Sequence, residues 1–427
     1  MQYGVFDTLP ASPFVRLRAL LDDLTPPRPP VSLALGEPQH APPTFALMAA
    51  SENVQDYRRY PPIAGTADWQ AAARGWLQRR FNVTSALAAP SQVLPLNGTR
   101  EGLFLAAQMA PQKPAAKDGG LMAMPDPFYQ IYASAAVAAG ARPHYLPATR
   151  ETGFLPDLAA LDAETLSRLR ALYLCNPANP QGAVADKAYL EQALGLAMQH
   201  GFILLVDECY AEIYDPEGAP PPSILEVMQE KGLHDAPVMA FHSLSKRSNL
   251  PGLRSGFAAG GESLMRAYAE LRQIAGPQCP MPAQAAAALA WSDDAHVVEN
   301  RARYAEKFAF AETVFGDAYG FYRPAAGFFL WLDVGDGEAA AVHLWREQGL
   351  RVLPGAYLAA HNPINSTTNS PTNTDYSKDA KDAQCSPHAA PYIRVALVAD
   401  METTQEALPR LKATLDDFAL ARKGSAA

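Results

Sequence analysis

Four short segments, Leu121–Met124, Ala171–Leu174, Phe202–Val206 and Val238–Phe241, are apolar throughout rather than at alternate positions. A strand with one wet face alternates, whereas a strand covered on both faces does not. Between two of these runs, Lys187–Gln199 places Leu190, Ala193, Leu194, Ala197 and Met198 on one helical face. Apolar runs alternating with helical patterns predict an α/β fold, a mostly parallel central sheet sandwiched by helices.

The two ends follow another pattern. At 427 residues the chain exceeds what one core usually organises, so two domains are expected. Proline-rich Pro26–Pro30 cannot be helical and links a first helix to a strand-like Val31–Leu35. Past Gln284 a long helical pattern runs through Trp291 and Tyr304, Gly327–Val334 reads as a strand, and Glu402–Leu420 as a closing helix, kinked or restarted at Pro409. The expected division is an N-terminal arm with part of a small domain over 1–45, a large domain over 46–285, and a smaller α+β domain over 286–427. Within the last, Asn362–His388 is polar and nearly free of apolar residues, which predicts a surface loop. Because it leads towards Arg394, a substrate lid is the alternative.

Charge narrows the partners. A net charge of −9 offers no broad basic surface to nucleic acid or an anionic membrane, which leaves a small molecule. Cys175, Cys209, Cys279 and Cys385 are scattered without a CxxC pair, so neither zinc site nor disulfide framework is expected, and no metal is assigned. The opening residues lack a basic segment followed by an apolar core, and no stretch reaches the roughly 18 apolar residues of a membrane span, so a cytoplasmic enzyme is expected.

Four motifs carry chemistry. Ser243-Leu244-Ser245-Lys246 ends a strand and is followed by Arg254, which combines an amine able to form a Schiff base with hydroxyls and a guanidinium suited to phosphate. Asp207 closes the apolar run Phe202–Val206, with Tyr210 three residues on, and a buried aspartate there needs a partner such as a cofactor's ring nitrogen. Asn176-Pro177-Ala178-Asn179-Pro180-Gln181-Gly182 fixes an amide on a rigid turn. Asn97-Gly98-Thr99-Arg100-Glu101 precedes a helical run, Gly102–Met109, and offers free N–H groups and a hydroxyl to a phosphate. Singly, each has a plainer reading: a surface lysine, a structural ion pair, an ordinary turn, a helix cap.

Together, in order and spacing, they resemble the class I/II aminotransferases of fold type I, dimeric pyridoxal 5'-phosphate enzymes, over nearly the whole chain from Ser32 to about Leu420. The resemblance implies that Lys246 bonds the cofactor, that Asp207, Tyr210 and Asn179 face its ring, and that Gly98, Thr99, Arg100, Ser243 and Arg254 form the phosphate cup. It also implies that Tyr129 stacks on the ring, with Phe128 as rival if the register slips by one. Gly36 and Arg394 correspond to groups at the substrate carboxylate, and Tyr60 to a tyrosine that reaches the partner subunit's site in a homodimer.

For the donor, Leu9–Leu17, Ser32–Pro38, Asn97–Glu101, Pro127–Tyr132 and Trp291–Val297 are similar to the bacterial succinyldiaminopimelate aminotransferases of lysine biosynthesis. That similarity implies N-succinyl-L,L-2,6-diaminopimelate as amino donor and 2-oxoglutarate, giving glutamate, as acceptor. An aspartate, acetylornithine or aromatic/kynurenine aminotransferase, or a carbon–sulfur lyase, would keep the same residues. A non-catalytic ligand-binding protein on this fold is the alternative from another class.

Overall fold

The computed structural model describes residues 9, 11–84, 87, 89–114, 119–360 and 386–425. After a helix at Pro13–Leu21, a two-residue strand β1 (Val31–Ser32) precedes the central sheet. That sheet comprises β2 (Val93–Leu96), β3 (Leu121–Asp126), β4 (Arg142–Pro147), β5 (Leu169–Cys175), β6 (Ile203–Asp207), β7 (Val238–Ser243) and β8 (Gly256–Gly260). The remaining strands are β9 (Phe329–Asp333), β10 (Leu350–Arg351), β11 (Leu353–Pro354) and β12 (Tyr392–Ala396).

The seven strands lie in the order β2-β8-β7-β6-β5-β3-β4. Only β8 runs against its neighbours; the other pairs are parallel. Every residue of β5, β6 and β7 is buried, which is why their sequences are continuous apolar runs. The pleat sorts them by parity. Leu172, Leu174, Leu204 and Val206 pack with helices Ala67–Phe81, Lys187–His200, Ile224–Glu230 and Met281–Ser292. Tyr173, Ile203, Leu205 and Phe241 face helices Thr99–Ala106, Ile131–Ala138 and Glu262–Ala275 instead. The α/β sandwich expected from the runs is therefore present.

Strand β8, Gly-Phe-Ala-Ala-Gly, carries no strand signal, and its glycines answer to contact rather than propensity. A Cβ on Gly256 would stand 2.5 Å from the His242 carbonyl oxygen, and one on Gly260 2.0 Å from that of Val238.

The second region is built on the antiparallel sheet β11-β12-β9, in which Arg394 lies between Leu353 and Trp331. Helices Ala295–Phe315, Gly337–Gln348 and Met401–Ser425 cover it. Their core includes Phe308, Leu330, Leu344, Ile393 and Leu411, and Leu33 from the N-terminal segment joins it. Three boundaries differ from expectation. The strand expected over Val31–Leu35 is Val31–Ser32, paired with β10. The long helical pattern is two helices, because Asp293 leaves helical geometry and its carboxylate accepts the His296 backbone N–H at 3.0 Å. The last helix runs through Pro409 unbroken: Gln405, whose carbonyl loses its bond there, and Pro409 both face water. The polar segment Asn362–His388 lies, apart from its last three residues, outside the described residues. No helix among the described residues is long and apolar enough to cross a membrane.

Candidate active site

The parity that sorts the core also sorts the polar residues where strands β5, β6 and β7 end. In register, Cys175 lies beside Asp207. Odd positions of these strands face helix Thr99–Ala106, so Cys175, Asp207 and Ser243 emerge on that side, and Asn176, Glu208 and His242 on the other. An open α/β sheet uses the carboxyl ends of its strands for ligands, and Lys246 follows one turn after Ser243.

Asp207 is 5% exposed. Burial pushes its carboxyl above the ordinary value, but three donors pull the other way, the Cys209 thiol, the Tyr132 hydroxyl at 2.8 Å and the Cys209 N–H at 3.2 Å, as does the charge of Lys246. Tyr132 is buried and stacked on Tyr173 with centroids 4.7 Å apart, so the carboxylate is held from behind by a rigid ring. Lys246 donates to the Gly36 carbonyl and stands 5.4 Å from the Phe328 ring. Burial, joined by the Arg394 charge and opposed by Cys209, Glu37 and Asp207, lowers its amine to about 8.

A second cluster surrounds the start of helix Thr99–Ala106. Gly98 sits at φ +82, and a Cβ there would lie 2.0 Å from the Arg254 guanidinium, so glycine is what allows the arginine to cover the helix N-terminus. Arg254 forms no ion pair among the described residues; one of its terminal nitrogens donates to the Pro251 carbonyl at 2.8 Å. The Thr99 hydroxyl lies 3.1 Å from the Cys209 thiol. A Cβ on Gly256 would touch both Thr99 and Ser243, which makes those hydroxyl residues neighbours. Arg100 donates to the Tyr129 hydroxyl at 2.7 Å, and Tyr129 meets Tyr132 edge-on. Phe128 instead turns into the core against Tyr145.

The third cluster centres on Arg394, which is 4% exposed. It donates to the Asn179 side-chain oxygen at 3.2 Å and to the Ala34 carbonyl at 2.8 Å, and lies over the Phe329 ring at 4.2 Å. Burial lowers it to about 10, opposed by the neighbouring Tyr210 hydroxyl, which burial itself pushes well upward. No carboxylate pairs with Arg394 among the described residues. Gly36 is pressed against Phe329 and Phe328, which also hold Tyr210 edge-on.

Twelve of the residues singled out in the sequence thus converge on one region: Gly36, Gly98, Thr99, Arg100, Tyr129, Asn179, Asp207, Tyr210, Ser243, Lys246, Arg254 and Arg394. Tyr60 does not; it is 97% exposed. Sequence reading missed Tyr132 and Cys209, which hold Asp207 and Thr99, and Arg272, which grips Glu101 with 2.9 Å bonds to both oxygens while Glu101 caps the Asn97 N–H. Tyr132, three residues after Tyr129 and so on the same side of a helical turn, was within reach of a spacing argument.

The fold brings a partly buried lysine, Lys246, and a buried acid, Asp207, together at the carboxyl edge of a mostly parallel sheet. A model of the family described as aminotransferase class I and II matches residues 28–375. The chain is 35% identical over 332 residues to the 4-dedimethylamino-4-oxo-anhydrotetracycline transaminase OxyQ of Streptomyces rimosus, covering 77% of this chain and 85% of that protein. It is 31% identical over 334 residues to an LL-diaminopimelate aminotransferase of Desulforudis audaxviator, covering 76% and 82%. A solved aminotransferase of Neisseria meningitidis superposes with a TM-score of 0.84 at 31% identity, over 96% of this chain and 99% of that one. The chain belongs to the class I and II aminotransferases, enzymes of fold type I that depend on pyridoxal 5'-phosphate.

The residues suit that cofactor. Gly98 opens a cradle that any side chain would fill, Arg254 brings to a helix N-terminus a cation that forms no ion pair among the described residues, and Asp207 presents a carboxyl already oriented by two donors.

Proposed function

We propose that the chain transfers the α-amino group of N-succinyl-L,L-2,6-diaminopimelate to 2-oxoglutarate, giving glutamate, in the diaminopimelate route to lysine. The observation that carries the amino-acid part is Arg394, a buried guanidinium with no acid against it among the described residues. A fixed fork without a counterion calls for a carboxylate from the substrate. The succinylated donor is supported by the segments Ser32–Pro38, Asn97–Glu101, Pro127–Tyr132 and Trp291–Val297.

In this reading Lys246 would hold the cofactor, and its amine, lowered to about 8 by burial, would accept and return a proton at the donor's α-carbon. Bound pyridoxal phosphate supplies the electron sink for the charge left behind. Asp207 would set its carboxyl at the end of β6 against the ring nitrogen and favour a proton there, and Tyr210 and Asn179 would take the phenolic oxygen. Gly98, Thr99, Arg100, Ser243 and Arg254 hold the phosphate, Tyr129 the ring face, and Arg394 with Gly36 the substrate carboxylate. Tyr60 completes the site of the partner subunit in a homodimer; its near-total exposure in the single chain fits a side chain awaiting a second copy. For the division of the chain, we propose an arm and part of the small domain over 1–45, the large domain over 46–285 and the small domain over 286–427.

A second reading is favoured by the relative named LL-diaminopimelate aminotransferase, in which the donor carries no succinyl group. The test is cofactor absorbance of the purified protein as N-succinyl-diaminopimelate, LL-diaminopimelate, aspartate, acetylornithine and a cysteine conjugate are each added without acceptor. Conversion to the pyridoxamine form by the succinylated donor alone is expected. Preference for LL-diaminopimelate selects the second reading, and pyruvate released without any acceptor overturns both.

A further inference from the structure

Behind Lys246 lies a buried polar chain that no step above uses. Lys307, on helix Ala295–Phe315, is 1% exposed. Its ammonium donates to the carbonyls of Leu397 and Ala399, the former at 3.2 Å, and to His40 Nε2 at 2.6 Å. An ammonium can only donate, so His40 Nε2 must accept, which leaves the proton on Nδ1. That nitrogen lies 3.0 Å from Asn300 Oδ1. The same oxygen accepts from Asn249 Nδ2 at 3.0 Å, while Asn300 Nδ2 faces the carbonyls of Lys246 at 3.3 Å and Arg247 at 3.4 Å. The amide orientation is fixed by its neighbours: two donors on one side and two acceptors on the other.

Every bond in the chain therefore points the same way, from the Lys307 ammonium through His40 and Asn300 to the backbone of Lys246. Its two ends are informative. Leu397 and Ala399 follow directly after β12, which carries Arg394, and His40 follows the segment of Gly36, whose carbonyl accepts from the Lys246 amine. Helix Ala295–Phe315 thus ties the segments that flank the substrate carboxylate to the turn that carries the amine. Around Lys307 the other charges are Asp400, Arg303 and Glu306, and Arg303 and Asp400 also face His40; the Tyr304 ring packs on both. Among the described residues no carboxylate bonds Lys307, whose three donors are used on two carbonyls and an imidazole.

We propose that Lys307, His40 and Asn300 are positioning residues that hold the Lys246 turn in register with the carboxylate-binding strand, so that the amine reaches the α-carbon of a substrate gripped by Arg394. The inference rests on Lys246 being the lysine that bonds the cofactor, and not on which donor is used.

The test uses the cofactor-loaded protein and His40→Leu, His40→Gln and Asn300→Leu variants, read by the pH midpoint of the cofactor absorbance change and by separate kcat and KM for the donor. Glutamine can accept from Lys307 and donate to Asn300, so it restores the chain without a titrating ring. His40→Leu and Asn300→Leu are expected to move the midpoint by about half a unit or more and to lower kcat about tenfold with KM changed less than about threefold, while His40→Gln stays near the parent. Borohydride reduction followed by peptide mass analysis identifies the cofactor-bearing lysine in each variant. Label on another lysine overturns the reading of Lys246 itself. Label on Lys246 with parental midpoints and kcat in both leucine variants overturns the positioning chain alone. If Asn300→Leu, at a buried site, does not fold, the partly exposed His40 decides through its own pair of variants.

Discussion

Two rows of polar residues stand at the same edge of the sheet, one residue apart in sequence and on opposite faces. Asp207 and Glu208 make the contrast plain. Both are buried, and burial raises both. Asp207 meets a hydroxyl, a backbone N–H and an ammonium, a set that stabilises the charged form. Glu208 Oε1 accepts from the Ile224 N–H at 2.8 Å, and its other oxygen faces His242 Nε2 at 3.2 Å. Burial pushes Glu208 up to about 8 and His242 down to about 3, so both groups are mostly neutral at pH 7. Alongside, Asn176 bonds the Ala185 N–H and the Pro222 carbonyl. Burial alone does not make a buried acid functional. Both acids have a hydrogen-bond donor and a nearby cation; what separates them is the neighbour, the Lys246 amine beside Asp207 and the buried His242 ring beside Glu208.

The comparison can be broken in four places. Lys246→Ala should lower turnover by about 10⁴-fold or more in single-turnover absorbance, since it removes the proton carrier altogether. Asp207→Asn should cost about 10³-fold in the same assay by deleting the charge, whereas Glu208→Gln should cost less than about threefold. Equal losses in those two variants would erase the distinction between the rows. Tyr132→Phe should cost about tenfold in kcat, the worth of one donor to a carboxylate, without changing the melting temperature by more than a few degrees.

The smallest effect sharpens the contrast most. Glu208 binds more protons folded than unfolded between its ordinary 4.5 and about 8, so its contribution to stability is full below 4.5 and is lost as pH rises through 8. His242 has the opposite sign: its contribution is full above 6.5 and is lost as pH falls towards 3. Between 4.5 and 6.5 the two slopes oppose. The melting temperature of the parent should therefore decline relative to Glu208→Gln from pH 6.5 to 8, measured by calorimetry in overlapping buffers. A constant difference between the two proteins over that range would place the proton elsewhere.

Much of this was legible in the sequence for a physical reason. A strand covered on both faces must be apolar throughout, so β3, β5, β6 and β7 were readable, and with them the positions of Asp207 and Lys246 at their ends. Strand β8 was not, because its residues answer to the close approach of β7 and β2. Strand β4, Arg-Pro-His-Tyr-Leu-Pro, lies at the sheet edge, where partial exposure removes the continuous apolar pattern. The break at Asp293 and the continuity at Pro409 both turn on single groups, a capping carboxylate and a solvated carbonyl, that a periodic pattern averages away. Among site residues, those next to a motif were found. His40, Asn300 and Lys307 meet across some 260 residues of chain, and nothing in their local sequence announces it.

The alternation that separates Asp207 from Glu208 has a consequence for how such a site can change over time. Replacing either residue alters one group, but removing or adding a single residue within β6 would exchange the two rows, carrying Glu208 towards the lysine and Asp207 into the hydrocarbon around Trp76 and Phe257. The loops between strands tolerate changes of length. Within the strands, only a change of residue, never of number, leaves the acid where the chemistry needs it.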